Sequence, residues 1–299
     1  METTRRTDLA VEARQIWSEG GQGELPGVTV RTGSRSGYEV TTVEILDQEG
    51  AEALGKPVGK YVTVELTGLA QRAEEAFPRA VETVSAELRA LLPPGEGTVL
   101  VVGLGNRAIT PDDIGPGAVD AVLVTRHLVE GEPVHFGDFR PVAALAAGVM
   151  ASTGMESGEL VGAVAARLHP CCVVAIDALA ARSVNRVCTT VQLTDTGIVP
   201  GSGVGNARAA LNAGTLGVPV IAVGVPTVVD GATLAADLLE RVGGGGPDVR
   251  ALREVGGGLM VTPRDIDQRV ADLAKVIGYA VTLALQPRLT LSDLELLLS

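Results

Sequence analysis

Apolar positions along this chain fall into two kinds of run, and their order sets the expected architecture. From Gly27 to Thr32, Tyr38 to Leu46 and Lys60 to Leu66 they alternate with polar residues or are β-branched, with Gly/Ser turns between, so several strands precede the first long helix. Leu9, Ala13, Ile16 and Trp17 instead recur at helical spacing and predict an amphipathic helix within residues 1–20; Glu49 to Leu54 reads as a short helical piece. Ala73, Phe77, Ala80, Val81, Val84, Leu88 and Leu91 mark one face of a helix over 69–92, which Pro78 kinks or restarts and Pro93-Pro94-Gly95 ends. Thr98 to Val102 is a continuous β-branched run, the signature of a strand buried on both faces, and Ala118 to Val129 then reads as a helix. After an irregular stretch from Phe136 to Ala151 and a helix from Glu156 to Leu168, the pattern repeats. Cys171 to Ile176 is a second buried strand, with Asp177 at its carboxyl end and Ala178 to Ala181 opening a helix or turn. Strands over Val187–Leu193, Pro219–Val223 and Leu259–Val261 are expected, with helices over Asn206–Asn212 and Ala232–Val242 and a flexible loop at Gly243–Gly246 and Pro247. Thr262 as N-cap and Pro263 in the first helical position predict a long helix through about Leu285. The order implies an α/β fold: a mixed, largely parallel sheet with helices on both faces.

Composition narrows this picture. At 299 residues, 46% hydrophobic but only 2% aromatic, the chain builds an aliphatic core, and its 38 glycines belong in turns. A net charge of −12 without any Lys/Arg-rich run leaves no electrostatic footprint for phosphate backbones, so direct nucleic-acid binding is not expected. Cys171, Cys172 and Cys188 are odd in number and lie in or beside apolar runs, as buried free thiols of a reducing compartment do. No apolar run reaches the length of a membrane span and none follows the first residues as a signal core, so the expected location is cytoplasmic.

The chemistry concentrates where the strand at Thr98–Val102 stops. Gly103 and Gly105 free the backbone, Pro111 keeps Thr110 out of the helical region, and Asp112 and Asp113 follow on a constrained loop at the strand's carboxyl end. A parallel sheet brings the carboxyl ends of neighbouring strands to one edge, so Asp112 and Asp177 are candidates for a shared site. Two carboxylates in one site do not both ionise cheaply; one keeps a proton and serves as acid while the other activates water. The plainer reading of such loop acids is a helix cap or a solvated charge, and Asp113 and Asp120 compete for the role; Asp113 is placed to cap the following helix. Gly201-Ser202-Gly203-Val204-Gly205 fits neither dinucleotide nor P-loop spacing, but its backbone N–H groups suit a substrate carbonyl or carboxylate. Ser202 lacks the flanking glycines of a nucleophile elbow, and His127, His135 and His169 show no ligand spacing, so neither a cofactor nor a metal is expected.

Val101 to Asn106, Thr110 to Pro116, Ala175 to Ser183 and Asp195 to Asn206 resemble, in order, the signature blocks of the germination protease family, the endopeptidases of bacterial spores. The resemblance runs from Arg6-Thr7-Asp8-Leu9-Ala10-Val11-Glu12-Ala13 to Val261-Thr262-Pro263. It implies an atypical aspartic endopeptidase with Asp112 and Asp177 as catalytic residues and Asn106, Gly201, Ser202 and Gly203 binding substrate. It also implies a zymogen trimmed between Asp8 and Leu9, with residues 1–8 as a short propeptide and 9–299 as a single α/β peptidase domain. Its substrates would be the small acid-soluble proteins of spores, its assembly a homotetramer, and its place the core of the spore or forespore. The fold implied is phosphorylase/hydrolase-like. The Gly-x-Gly-Asn block followed by acids is also similar to hydrogenase maturation endopeptidases, in which acids and a histidine grip a metal, so a metal-guided maturation peptidase is one alternative. A non-enzymatic nucleotide-binding α/β oligomer is the other.

Overall fold

The computed structural model describes residues 7–21, 25–205, 208–243, 248–256 and 258–298. β1 (Val28–Arg35) and β2 (Tyr38–Ile45) form a hairpin whose two turn residues, Ser36 and Gly37, both have positive φ, as the tight hairpin turns require. A helix over Gln48–Leu54, capped where the Asp47 carboxylate accepts the Gly50 N–H at 2.9 Å, leads to β3 (Gly59–Glu65). The chain then builds β4 (Val99–Leu104), β5 (Val142–Gly148), β6 (Cys172–Ala181), β7 (Thr190–Thr194), β8 (Val220–Asp230) and β9 (Met260–Val261). These lie in one sheet in the order β1-β2-β3-β7-β8-β6-β4-β5, with β9 pairing the end of β8.

The sheet is mixed, as the pattern predicts, but parallel pairing is confined to the block β5-β4-β6-β8. The remaining pairings are antiparallel. Connection length explains the split: β1 and β2 are joined too tightly to run parallel, whereas β4, β5, β6 and β8 are separated by helices and long loops. Alternate residues of the parallel strands feed two cores. Val99, Val101, Val174 and Ile176 pack with the helices Ala76–Leu91, Ile114–Asp120 and Ile266–Leu285. Leu100, Val102, Val173 and Ala175 face the helix Ser157–Leu168 through Val161 and Ala165. Helices therefore cover both faces. No helix among the described residues is long and apolar enough to cross a membrane.

Several local expectations give way. β5 occupies part of the stretch expected to be irregular, because its Ala-rich sequence carries almost no strand signal and it pairs on one side only, with β4. Ala178–Ala181 continues β6 instead of opening a helix: pairing with β8 overrides the helix propensity of alanine. The helix expected over 118–129 breaks into Ile114–Asp120 and Arg126–Gly131. Pro78 falls in the first turn of Ala76–Leu91, so it restarts the helix. Of the helix expected over 206–212, residues 208–212 fold back on 198–200, with Arg208 N–H donating to Pro200 O and Ile198 bridging Leu211. Thr262 donates its hydroxyl to Thr227 O, and the long helix starts later, at Ile266. Of the loop expected at Gly243–Gly246 and Pro247, residues 244–247 lie outside the described residues.

Candidate active site at the carboxyl edge of the central strand

β4 runs out at Leu104, and Gly105 turns the chain with φ +121°, in a position where a Cβ would stand 2.0 Å from the Asp112 carbonyl oxygen. That contact closes the loop. The Asn106 N–H donates both to the Asp112 carbonyl, at 3.1 Å, and to its side chain Oδ2, at 2.8 Å. The Asn106 side chain accepts the Ala108 N–H at 3.0 Å, so Asn106 holds the loop that presents Asp112. Asp112 itself ends a single 3-10 turn, Thr110–Asp112, with Pro111 inside it.

Asp177 reaches the same edge by another route. It is not at the end of β6 but in its middle, one residue beyond Ile176, the last position paired with β4. Its side chain therefore emerges where β4 has stopped, while β6 continues along β8. Asp177 is 6% exposed and accepts the Ala178 N–H at 2.9 Å. Burial raises its pKa well above the ordinary carboxylate value; the negative charge of Asp112 and, more weakly, of Asp8 pushes it further, against the stabilising Ala178 N–H. Burial also raises Asp112, opposed by the Asn106 N–H. The negative charge of Asp113 pushes Asp112 in the same direction as burial does.

Of the competing acids, Asp120 is engaged elsewhere and Asp113 is not. Asp120 forms a paired contact with Arg107 at 2.7 and 2.8 Å on the surface. Asp113 occupies the N-cap position of Ile114–Asp120, yet makes no capping bond, contrary to expectation. His127 lies in the helix Arg126–Gly131, His135 lies 3.6 Å from Glu132 in the turn that follows, and His169 ends the helix Ser157–Leu168. Among the described residues no group of three or more His, Cys, Asp or Glu is placed to hold a metal ion.

A groove of about 430 Å³ opens beside this edge, lined by Asp8, Lys56, Gln192, Ser202, Gly203 and Gly224 among others. Gly224 pairs with Asp177 on one side and Gln192 on the other. Residues paired across a sheet share a face, so Asp177 and Gln192 stand on the same side, two strand spacings or about 9–10 Å apart.

The chain's own N-terminal segment forms one wall of the groove, through Thr7 and Asp8. Asp8 exchanges two bonds with Ala180, its N–H donating to Ala180 O at 3.0 Å and its Oδ2 accepting the Ala180 N–H at 2.8 Å. The Ser202 hydroxyl donates to Asp8 Oδ1 at 3.0 Å. The glycine loop, expected to hold a substrate carbonyl or carboxylate on its N–H groups, here meets the chain's own Asp8 carboxylate through the Ser202 hydroxyl and the absence of a side chain at Gly203. Gly201 supplies the left-handed turn into it. Beyond Asp8, Leu9 is fully buried, and Glu12, 1% exposed, accepts the N–H groups of Arg182 and Ser183 at 2.7 and 3.0 Å.

Lys56 and Gln192, which no motif marks, make further contacts with this segment. The one signal for Lys56 is chemical: it is a lysine between Gly55 and Pro57 in a chain whose cations are almost all arginine. A Cβ at Gly203 would lie 1.9 Å from Asp8 Oδ2 and 2.8 Å from Ala180 Cβ. Gly203→Ala is accordingly expected to unseat Asp8 and speed hydrogen exchange at its amide more than tenfold; unchanged protection would contradict this packing.

Residues 5–243 match the family described as germination protease. The chain is 42% identical to the germination protease of Caldanaerobacter subterraneus subsp. tengcongensis, over 98% of each chain. It is 40% identical to that of Clostridium perfringens over 97% of this chain and 98% of the relative. With the germination protease of Priestia megaterium it shares 45% over 79% of this chain and 66% of that protein.

Proposed function

This chain belongs to the germination protease family, and from that premise we propose that it is an endopeptidase in which Asp112 and Asp177 share one proton and hydrolyse peptide bonds. The observation that supports the reading is the convergence at the strand edge, where the loop after β4 presents Asp112 beside the buried Asp177 of the longer β6; the charge of Asp112 then adds to burial in raising Asp177. Asp177, with the higher proton affinity, is the acid; Asp112 is the base. Asp112 takes a proton from water as the water oxygen bonds to the carbonyl carbon, and Asp177 gives its proton to the leaving nitrogen as the C–N bond breaks. Proton exchange with solvent then restores the starting pair.

The same reading makes residues 1–8 an inhibitory propeptide. Asp8 sits on Ala180 and Ser202 at the wall of the groove, the Asp8–Leu9 bond is the one cut, and attachment to the same chain gives the segment a high effective concentration. Ser202, Gly203 and Ala180, which receive the Asp8 carboxylate, would receive an acidic substrate residue once it has left. The substrates are small acid-soluble spore proteins, met in the spore core by a homotetramer; these three features rest on the family resemblance.

A carboxylate pair activates water without help from an ion. Proteolysis is therefore expected to survive exhaustive dialysis against EDTA with less than a twofold loss. Abolition by EDTA, reversed by one particular divalent cation, would favour the metal-guided alternative.

A further inference from the structure

The contacts around Asp8 reach past its side chain to the peptide bond that follows. Lys56 Nζ donates to the Asp8 carbonyl oxygen at 2.8 Å, and Gln192 Nε2 donates to the same oxygen at 3.1 Å. The other end of the Gln192 carboxamide accepts the Ala10 N–H at 2.7 Å. One side-chain amide thus grips the main chain on both sides of the Asp8–Leu9 bond, while an ammonium points at its carbonyl oxygen.

We propose that Lys56 and Gln192 are further catalytic residues, a donor pair that holds the carbonyl oxygen of the bond being cut and stabilises the negative charge it gains when water adds. This rests on the reading of Asp8–Leu9 as the processed bond. As the water oxygen bonds to carbon, the C=O π pair moves to oxygen, and donors already aimed there stabilise that charge without reorganising. Both donors are held in place. Lys56 donates its own N–H to Ala51 O, and Pro57 after it restricts its backbone. The Tyr61 hydroxyl fixes the same loop by donating to Pro57 O at 2.9 Å, and burial pushes that phenol up to about 12, so it remains a donor. Gln192 lies inside β7, 6% exposed, on the row that carries Asp177.

The groups facing Lys56 agree with the role. The residue is partly exposed, yet its ammonium lies deep enough for desolvation to lower its pKa, while Asp8 and Glu12 oppose the fall. A cation with few hydrating waters interacts strongly with an oxyanion and weakly with a neutral carbonyl, which favours the transition state over the bound peptide. A lysine that only seated the propeptide would lack this difference.

The test follows the first-order appearance of a Leu9 terminus in the full-length chain by mass spectrometry, together with hydrogen exchange at the Ala10 amide. Loss of one such donor typically slows the chemical step about 10²–10³-fold. Lys56→Met is therefore expected to cut at least a hundredfold more slowly with Ala10 still protected, and Lys56→Arg, which keeps a charged donor, to recover most of the loss. Gln192→Leu is expected to slow cutting and expose Ala10 as well. Cutting in Lys56→Met within threefold of the parent, or loss of Ala10 protection in that variant, would overturn the inference. If the parent cuts, Asp177→Asn does not and Lys56→Met does, this inference alone fails. A parent chain that never gains the Leu9 terminus overturns the proposed function as well.

Discussion

Asp177→Asn is expected to lower peptide cleavage by about a thousandfold or more while raising the melting temperature at neutral pH. The activity falls because the amide preserves volume and the bond from the Ala178 N–H but has no proton to give to the leaving nitrogen. The stability rises by linkage. Asp177 has a folded pKa far above its ordinary value near 3.8, so the unfolded chain loses that proton first as pH rises. The stability that the protonated carboxyl contributes is fully present below about pH 4 and is lost progressively until the folded group also ionises. The asparagine chain has no such loss. Melting curves of the two chains should coincide near pH 3.5 and separate above it, with the variant higher; a lower melting temperature for the variant at about pH 7 would contradict the assignment of a desolvated acid. Asp112→Asn should remove activity to a similar extent with a smaller gain in stability, because Asp112 is less buried than Asp177 and its pKa is raised less.

Self-processing and proteolysis should follow a bell-shaped pH profile with its limbs set by the pair. The working form carries one proton: Asp112 ionised, Asp177 protonated. On the alkaline side Asp177 loses its proton, so falling pH increases the working form. On the acid side Asp112 gains one and activity ends. Both carboxyls are raised, so the whole bell lies above the range in which two ordinary aspartates would share a proton, and mild acidification should accelerate maturation. A rate that climbs monotonically into alkaline pH would mean that both carboxylates work ionised, against the shared-proton mechanism.

The strands that carry the site were legible because their chemistry is extreme. Val99, Val101 and Val102 have no comfortable place except a buried strand, and Gly103 and Gly105 show where it ends. β5 was not legible, since alanines fit helix, strand or loop and only pairing with β4 decides among them. Ala178–Ala181 misled for the same reason, and with it went the position of Asp177: the two acids come to one edge because β4 is shorter than β6, not because both end their strands. Lengths of that kind are set by pairing partners far away in sequence. Gln192 is a neutral residue inside a strand, and nothing local distinguishes it from any buried glutamine; its role depends on Asp8 and Ala10, more than 180 residues earlier.

The central claim, that a carboxyl pair sharing one proton cuts this chain between Asp8 and Leu9, is tested most directly by N-terminal sequencing of the full-length protein and of Asp177→Asn after parallel incubation from neutral to mildly acidic pH. The shared-proton mechanism predicts a terminus at Leu9 in the parent, appearing fastest under mild acidification, and an uncut N-terminus in Asp177→Asn at every pH. A Leu9 terminus arising at the parental rate in the purified variant, or an active parent that keeps its N-terminus throughout, would contradict it.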